Sequence, residues 1–335
     1  MSYKKIIVRE PNWLGDMVMS LPFLDNLRFS FPTAEITVMC KPQFADVLQD
    51  RNFKLLCVDT KKEKYKEIIK KIKKENFDLG ILLTNSFSSA YIFWCSNIKI
   101  ILGFKKDWRS VFLDIGVKLE KKGHLVNIYN QLLLPINGKI SNSHTLPTLT
   151  VNEEEKNKAL SLLQALGVNK KGKIIGVSPS SSYGPAKCWP KENFIKVAQK
   201  LLEDENNTFL LFFGDDKSYP LIEDIVSKLG KRALNMAGRT TIQELMMLTS
   251  QCSVFLTNDS GPMHVAAALN VPIIALFGST DQNATGPCNK DAIVLDKHLS
   301  CAPCFKKTCP FNLECMRTIS VEEVIGKVKN VQNIN

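Results

Sequence analysis

The sequence has no long uninterrupted apolar run and little glycine where nucleotide-binding signatures need it. Charged residues divide every long apolar stretch, and no basic segment leads into an apolar one, so we expect neither a signal peptide nor a membrane span. Between Arg9 and Asp16 the one glycine is Gly15, which disfavours a nicotinamide dehydrogenase with its G-x-G-x-x-G turn. The G-x-x-x-x-G-K-[ST] signature of a P-loop is missing too.

The length of the chain and the order of its apolar segments predict a two-domain α/β protein. Its 335 residues are 44% hydrophobic, enough for two substantial cores, and apolar strands alternate with helices throughout. A cluster of Ser, Asn, His, Thr and Pro near 141–152 interrupts the alternation and predicts a linker. We therefore expect one parallel-sheet domain over 1–150, a second over 151–320, and a C-terminal helix and tail over 321–335. Ten cysteines without an export signal predict reduced thiols in a cytoplasm.

Positive charge is concentrated in the first half. The net charge is +11, of which residues 1–150 carry +9, and many of the lysines lie between 61 and 74. A solvated helix face is one explanation. An anionic acceptor or membrane surface is the other, whereas no aromatic-interleaved basic motif supports nucleic acid.

The stretch Thr257–His264 is the most informative motif. It lies between a short apolar strand and a helix that continues through Val265–Leu269, so Asp259 and Ser260 fall at a strand-to-helix turn. Unpaired amides at a helix start attract anions, and Asp259 there would instead suit a sugar hydroxyl. Simple helix capping with a buried His264 is the alternative.

A second polar loop follows a predicted strand at Lys173–Val177. It contains three consecutive serines, a glycine and Lys187, before a helix that opens near Pro190. Hydroxyls, free amides and an ammonium can hold a diphosphate without a metal. A plain polar connection is the alternative.

A third segment, Glu10–Asp16, follows the first predicted strand, Lys4–Arg9. Gly15 permits a tight turn, and Asp16 is placed at the start of an apolar helix, at the carboxyl end of that strand. Ligands of open α/β sheets bind at this edge. Asp16 is therefore a candidate general base, with helix capping as the alternative.

Together these motifs resemble the lipopolysaccharide heptosyltransferases of glycosyltransferase family 9. The resemblance rests on P-N-W-L-G-D at 11–16, G-P-A-K at 184–187 and N-D-S-G at 258–261, and their forms are most like heptosyltransferase II. It spans most of the chain, from Lys5 to about Val328. It implies a GT-B fold, in which two Rossmann-like parallel-sheet domains face each other across a cleft and the last helix packs back towards the first domain.

The resemblance also implies roles for residues. Asp16 would be the catalytic base, and the donor ADP-heptose would be bound by Ser180, Ser181, Ser182, Lys187, Asp216, Asp259, Ser260, Gly261 and His264. Asp216 could equally be a turn carboxylate and His264 a packed core residue. Protein cations and the helix dipole would stabilise the leaving ADP, so no cofactor or catalytic metal is expected.

The implied function is an inverting transfer of heptose from ADP-L-glycero-D-manno-heptose to the inner core of lipopolysaccharide. The second heptose would be added onto heptosyl-Kdo-lipid A by a cytoplasmic, peripherally membrane-associated monomer. A heptosyltransferase I-like acceptor is the main alternative, and a non-catalytic anion-binding protein is another.

Four cysteines near the C-terminus fall outside this interpretation. Cys301, Cys304, Cys309 and Cys315 lie within fifteen residues, and four thiolates can close a structural zinc site. Their spacing departs from paired C-x2-C knuckles. Disulfides and unligated thiols therefore stay open as alternatives.

Overall fold

Two parallel sheets organise the chain, one in each of two units. The structure, a computed structural model, describes residues 3–120, 122–169 and 172–334. Contacts within the chain divide it into Met1–Pro147 and Thr148–Asn335, so the division falls inside the predicted linker. Both sheets have six strands, all parallel, with helices in the connections. The predicted α/β class with two Rossmann-like sheets is confirmed.

The first unit is built around its earliest strand. Its strands are β1 (Lys5–Arg9), β2 (Glu35–Cys40), β3 (Lys54–Cys57), β4 (Leu79–Leu82), β5 (Ile100–Lys105) and β6 (Ile115–Lys118). Their order is β3-β2-β1-β4-β5-β6, so β1 is the central strand at which the winding reverses. Its helices are α1 (Leu14–Ser30), α2 (Tyr65–Lys73), α3 (Phe87–Cys95) and α4 (Leu125–Asn130), with 3-10 helices at Pro42–Leu48, Asp107–Phe112 and Gln131–Ile136.

The second unit repeats this plan. Its strands are β7 (Lys173–Ser178), β8 (Thr208–Phe212), β9 (Ala233–Asn235), β10 (Val254–Asn258), β11 (Ile273–Leu276) and β12 (Ala292–Leu295), in the order β12-β11-β10-β7-β8-β9. Its longer helices are α5 (Glu153–Ala165), α6 (Lys191–Asp204), α7 (Tyr219–Val226), α8 (Ile242–Thr249) and α9 (Gly261–Ala268). The short helices α10 (Gln282–Thr285) and α11 (Glu314–Arg317) precede α12 (Val321–Ile334), and 3-10 turns lie at Pro185–Lys187 and Asp216–Ser218.

Apolar patterning explains these elements. The central strands are buried on both faces, as parallel strands covered by helices must be. Helix α6 buries one stripe, from Phe194 to Leu202, and the ring of Trp189 packs edge-on against Phe194 at 5.1 Å between centroids. Helix α12 contacts α6, β10 and β11 of its own unit. Its predicted contact with the first unit stays a prediction.

Several element predictions differ from the structure. The alternation of apolar strands and helices also predicts a helix over 43–49, and this segment is the 3-10 helix Pro42–Leu48. Strands β6, β9 and β12 and helices α4, α5, α10 and α11 were not predicted. No helix within the described ranges is long and apolar enough to cross a membrane.

Candidate functional site

The predicted donor-site motifs meet where β7 and β10 end side by side. These strands pair in parallel, with Ser178 opposite Thr257, so the loops that follow them leave the same edge of the sheet. Sheet winding reverses at this point, because β8 and β9 lie beyond β7 while β11 and β12 lie beyond β10. Such a switch point is where open α/β sheets bind ligands.

An ion pair between the two loops forms the centre of the site. Lys187 Nζ lies 2.5 Å from Asp259 Oδ2, and Thr280 Oγ1 donates to the same oxygen at 2.6 Å. The lysine side chain is 13% exposed and the aspartate side chain 5%. Two residues that were predicted separately therefore form one part-buried pair, and the charge of Lys187 is offset by Asp259.

Further hydrogen bonds fix the loops to each other. Asn258 donates from Nδ2 to the carbonyl of Pro179 at 2.7 Å and accepts from the amide of Trp189 at 3.0 Å. The hydroxyl of Ser181 donates to the carbonyl of Asp259 at 3.1 Å. The buried Asn258 thus holds both ends of the serine loop, which limits how far Lys187 can move.

The start of α9 borders this pair. Ser260 is the N-cap but makes no side-chain cap bond, and its hydroxyl lies 3.1 Å from that of Thr257. Gly261 begins the helix, and His264 is buried one turn along it. Amides of an uncapped helix start favour an anion. The geometry suits a phosphate beside Ser260 and Gly261.

The remaining predicted donor residues lie towards the end of β8. The hydroxyl of Ser182 donates to Asp215 at 3.1 Å, and a Cβ on Gly214 would lie 3.3 Å from Ser180 Oγ. Asp216 is exposed, and its carboxylate lies against Gly238, which has a φ of +66°. Ser180, Ser182 and Asp216 therefore form the neighbouring β8 edge of the site.

Sequence reasoning missed one aromatic and one cationic side chain near the Lys187–Asp259 pair, namely Tyr183 and Lys307. The ring of Tyr183 has Lys187 Nζ 4.7 Å from its centroid and Lys307 Nζ 6.0 Å from it, and Tyr183 donates to the carbonyl of Phe305 at 2.6 Å. Gly184 has a φ of +155°, and a Cβ there would lie 2.5 Å from the carbonyl oxygen of Lys307. A glycine is therefore required where the two segments touch. No sequence pattern indicated that Tyr183 and Phe305, which are 122 positions apart, would meet.

The four-cysteine segment is thus a wall of the same site. Charges on Cys301, Cys309 and Cys304 add to burial, the larger cause, in raising the pKa of the Cys315 thiol. All four thiols are free. Within the described part of the chain, no three His, Cys, Asp or Glu side chains are grouped so as to hold a metal ion. Zinc binding by Cys301, Cys304, Cys309 and Cys315 stays a prediction for metal analysis.

In the first unit, Asp16 lies in the first turn of α1, beyond the carboxyl end of β1. The helix begins at Leu14, two residues before Asp16, with the exposed Trp13 as its N-cap. Asp16 is half-buried. Burial and the nearby charges of Asp16 and Glu10 raise the pKa of the buried Tyr129 on α4, which places both carboxyl groups around one phenol.

Glu10 is a buried carboxyl group that sequence reasoning passed over. It is fully buried at the end of β1, and Ser20 on α1 donates to its Oε2 at 2.5 Å. Oε1 has no hydrogen-bond partner among the described residues. Burial raises the pKa of Glu10 to about 8, against the opposing effects of the Ser20 bond and Arg9. Glu10 therefore stays protonated at neutral pH.

This buried acid predicts a pH-dependent stability. Because the pKa of Glu10 is about 8 in the folded state against 4.5 when unperturbed, the folded chain holds an extra proton between these values. Its contribution to the free energy of unfolding is then full below 4.5 and is lost as the pH rises to about 8. Glu10→Gln should match the wild type near pH 5 and exceed it in stability above about pH 8, in urea unfolding followed by fluorescence. Parallel curves for the two proteins across this range would contradict the burial argument.

Known proteins of one family match this chain. The model of glycosyltransferase family 9 (heptosyltransferase) matches residues 65–314. Lipooligosaccharide heptosyltransferase 2 of Campylobacter jejuni is 29% identical, with 98% of each chain covered, and that of Haemophilus influenzae is 30% identical over 87% of this chain and 88% of the relative. The structure of Escherichia coli ADP-heptose LPS heptosyltransferase II superposes with a TM-score of 0.83 at 25% identity, covering 98% of this chain and 99% of that one.

The chain has two Rossmann-like sheets and a polar site at a strand switch point. Together with the structural match, these features define a sugar-transferring enzyme with the GT-B fold. The chain belongs to glycosyltransferase family 9, the heptosyltransferases.

Proposed function

We propose that this enzyme transfers heptose from ADP-L-glycero-D-manno-heptose to the inner core of lipopolysaccharide, adding the second heptose to heptosyl-Kdo-lipid A. The Lys187–Asp259 pair at the switch point carries this proposal, because it places a cation and a sugar-binding carboxylate beside an uncapped helix start. The relatives named heptosyltransferase 2 support the choice of acceptor.

The donor would lie along this edge of the second unit. Asp259 is held by Lys187 and Thr280 on one oxygen, which leaves Oδ1 to accept hydrogen bonds from heptose hydroxyls. The amides of Ser260 and Gly261 would bind phosphate oxygens, and the hydroxyl of Ser181 would join them by turning its one proton away from the carbonyl of Asp259. Ser180, Ser182, Asp216 and His264 would lie around them. Because Asp259 offsets the charge of Lys187, we assign part of the remaining positive charge to Lys307, which is exposed beside Tyr183.

Transfer would be a single displacement at the anomeric carbon. Asp16 takes the proton of the acceptor hydroxyl while the acceptor oxygen forms a bond to the anomeric carbon. The bond from the carbon to the diphosphate oxygen breaks, and ADP leaves with the electron pair. General-base assistance of this kind contributes about 10²–10⁴-fold. Protein cations and the α9 dipole meet the charge that develops on ADP.

Initial rates of ADP release with two acceptors test this function. We expect turnover with heptosyl-Kdo-lipid A and much slower turnover with Kdo-lipid A. The reverse preference would make the enzyme heptosyltransferase I-like. Binding of ADP-heptose without release of ADP, on either acceptor, would favour a non-catalytic anion-binding protein.

Catalysis should be independent of divalent metal. We expect full turnover in EDTA, because protein groups rather than Mg²⁺ stabilise the leaving diphosphate. Loss of turnover in EDTA with rescue by Mg²⁺ would contradict this.

Metal analysis of the purified enzyme, repeated on a variant with Cys301→Ser and Cys304→Ser, decides the zinc prediction separately: about one zinc per chain, lost in the variant, would establish it.

We also infer that the enzyme is monomeric and works in the cytoplasm, at the inner face of the inner membrane. The charge of +9 on residues 1–150 supports contact with an anionic surface, where the lipid-linked acceptor lies.

A further inference from the structure

Helix α3 is apolar on both of its faces. Its inner face buries Ala90 and Phe93 against the sheet, as a crossover helix must. Its outer face carries Phe87, Tyr91 and Trp94, spaced at i, i+4 and i+7, which are 53%, 39% and 56% exposed. A surface helix ordinarily turns charged and polar residues outward. The outer face of α3 therefore needs an explanation beyond folding.

The 3-10 helix Asp107–Phe112 enlarges this apolar surface. The ring of Phe112 lies 5.2 Å from Phe87, 5.8 Å from Tyr91 and 5.5 Å from Trp94 between centroids. On the same 3-10 helix, Trp108 is 83% exposed and Val111 73%. We call these six residues the aromatic face. An exposed apolar patch built from contiguous side chains marks an interaction site.

Lysines flank the aromatic face. Helix α2 packs against α3, and the segment 61–74 that contains it has eight lysines and two glutamates. Every one of those lysines is exposed, and exposed Lys105 and Lys106 precede Trp108. This charge complements an anionic surface. It would repel the same face of a second copy of the chain, which argues against a dimer through this patch.

The position of the aromatic face relates it to the acceptor. Helix α3 follows the carboxyl end of β4, and the 3-10 helix follows that of β5, so both begin at the sheet edge that also carries Asp16 beyond β1. We propose that the aromatic face docks on anionic phospholipid bilayers, with the tryptophans and Tyr91 at headgroup depth and the lysines of 61–74 on the charged lipids. The docking proposal rests on the proposed function in one respect, which is that the acceptor is a lipid.

Vesicle flotation tests the proposal. Vesicles of phosphatidylcholine with about 30% phosphatidylglycerol should carry the wild-type enzyme at about 0.1 M salt, and either pure phosphatidylcholine or about 0.5 M salt should weaken binding. A double variant, Trp108→Ser with Val111→Ser, should partition about tenfold less, since it removes the two most exposed apolar side chains of the face. Phe311→Ser, equally an exposed apolar residue at 70% but in the second unit, is the matched control and should bind as the wild type does.

Three outcomes would overturn the proposal: equal vesicle binding by the double variant and the wild type, equal loss in the control, or a wild-type dimer that the double variant dissociates in light scattering. Charge is tested by Lys70→Glu with Lys73→Glu, which should remove the preference for phosphatidylglycerol. Turnover on a delipidated core acceptor should be unchanged in the double variant. If the wild-type enzyme does not turn over the delipidated acceptor, the proposed function is contradicted but the membrane proposal is not, because vesicle flotation is measured without substrate.

Discussion

Replacing Asp16 by Asn is expected to lower kcat by about two to four decades with little change in ADP-heptose affinity. The amide keeps the shape of the side chain and its place in the first turn of α1 but cannot accept the acceptor proton. Pre-steady-state and steady-state rates of ADP release, with donor affinity measured by calorimetry, separate loss of chemistry from loss of binding.

Asp25→Asn is the matched control on the same helix. Asp25 pairs with Arg51 at 2.9 Å and has no assigned part in the reaction, so its variant should keep kcat within about twofold. If Asp16→Asn turned over as fast as Asp25→Asn, Asp16 would be a helix-end residue and another group would have to be the base.

Lys187→Ala is expected to weaken ADP binding by about ten- to a hundredfold, because a charge-assisted hydrogen bond contributes about 1.5–3 kcal/mol. The structure adds a second effect. Asp259 would keep only Thr280 as a donor to Oδ2, and we expect the free energy of unfolding to fall by about 1–3 kcal/mol. Calorimetric titration with ADP and chemical unfolding measure the two effects.

Lys191→Ala provides the comparison. Lys191 pairs with Asp224 at 2.6 Å, but both side chains are about 40% exposed, so its removal should change the free energy of unfolding far less than Lys187→Ala and leave ADP affinity unchanged. Lys307→Ala should give an intermediate loss of ADP affinity, since its ammonium is exposed beside Tyr183. Unchanged ADP affinity in a folded Lys187→Ala protein would move the diphosphate site away from this loop.

Periodicity predicted the fold well where strands were long and buried. The strands around β1, β7 and β10 are continuous apolar runs, and their predicted bounds agree with the structure within two residues. The three-residue β9 and the four-residue β12 are too short for a periodic signal, although β12 is apolar throughout, and both lie at a sheet edge. They are set by tertiary pairing with β8 and β11.

The site was predicted as residues but not as contacts. Lys187 and Asp259 were assigned to separate ligand groups, whereas the pairing of β7 with β10 brings them together as an ion pair across 72 positions. Lys307 and Tyr183 also meet only in the folded chain, where the loop after β7 contacts the four-cysteine segment. The cysteine spacing of that segment had suggested metal binding. Glu10 was overlooked because a single glutamate after a strand reads as a surface residue, and its burial depends on the packing of α1.

The mass and anomeric configuration of the product test the central claim most directly. Purified enzyme is incubated with ADP-L-glycero-D-manno-heptose and heptosyl-Kdo-lipid A, and the lipid is analysed by mass spectrometry and NMR. We predict an acceptor heavier by one heptose residue, one ADP released for each heptose transferred, and an anomeric centre inverted relative to the donor. An acceptor of unchanged mass, or ADP released with free heptose only, would contradict the account.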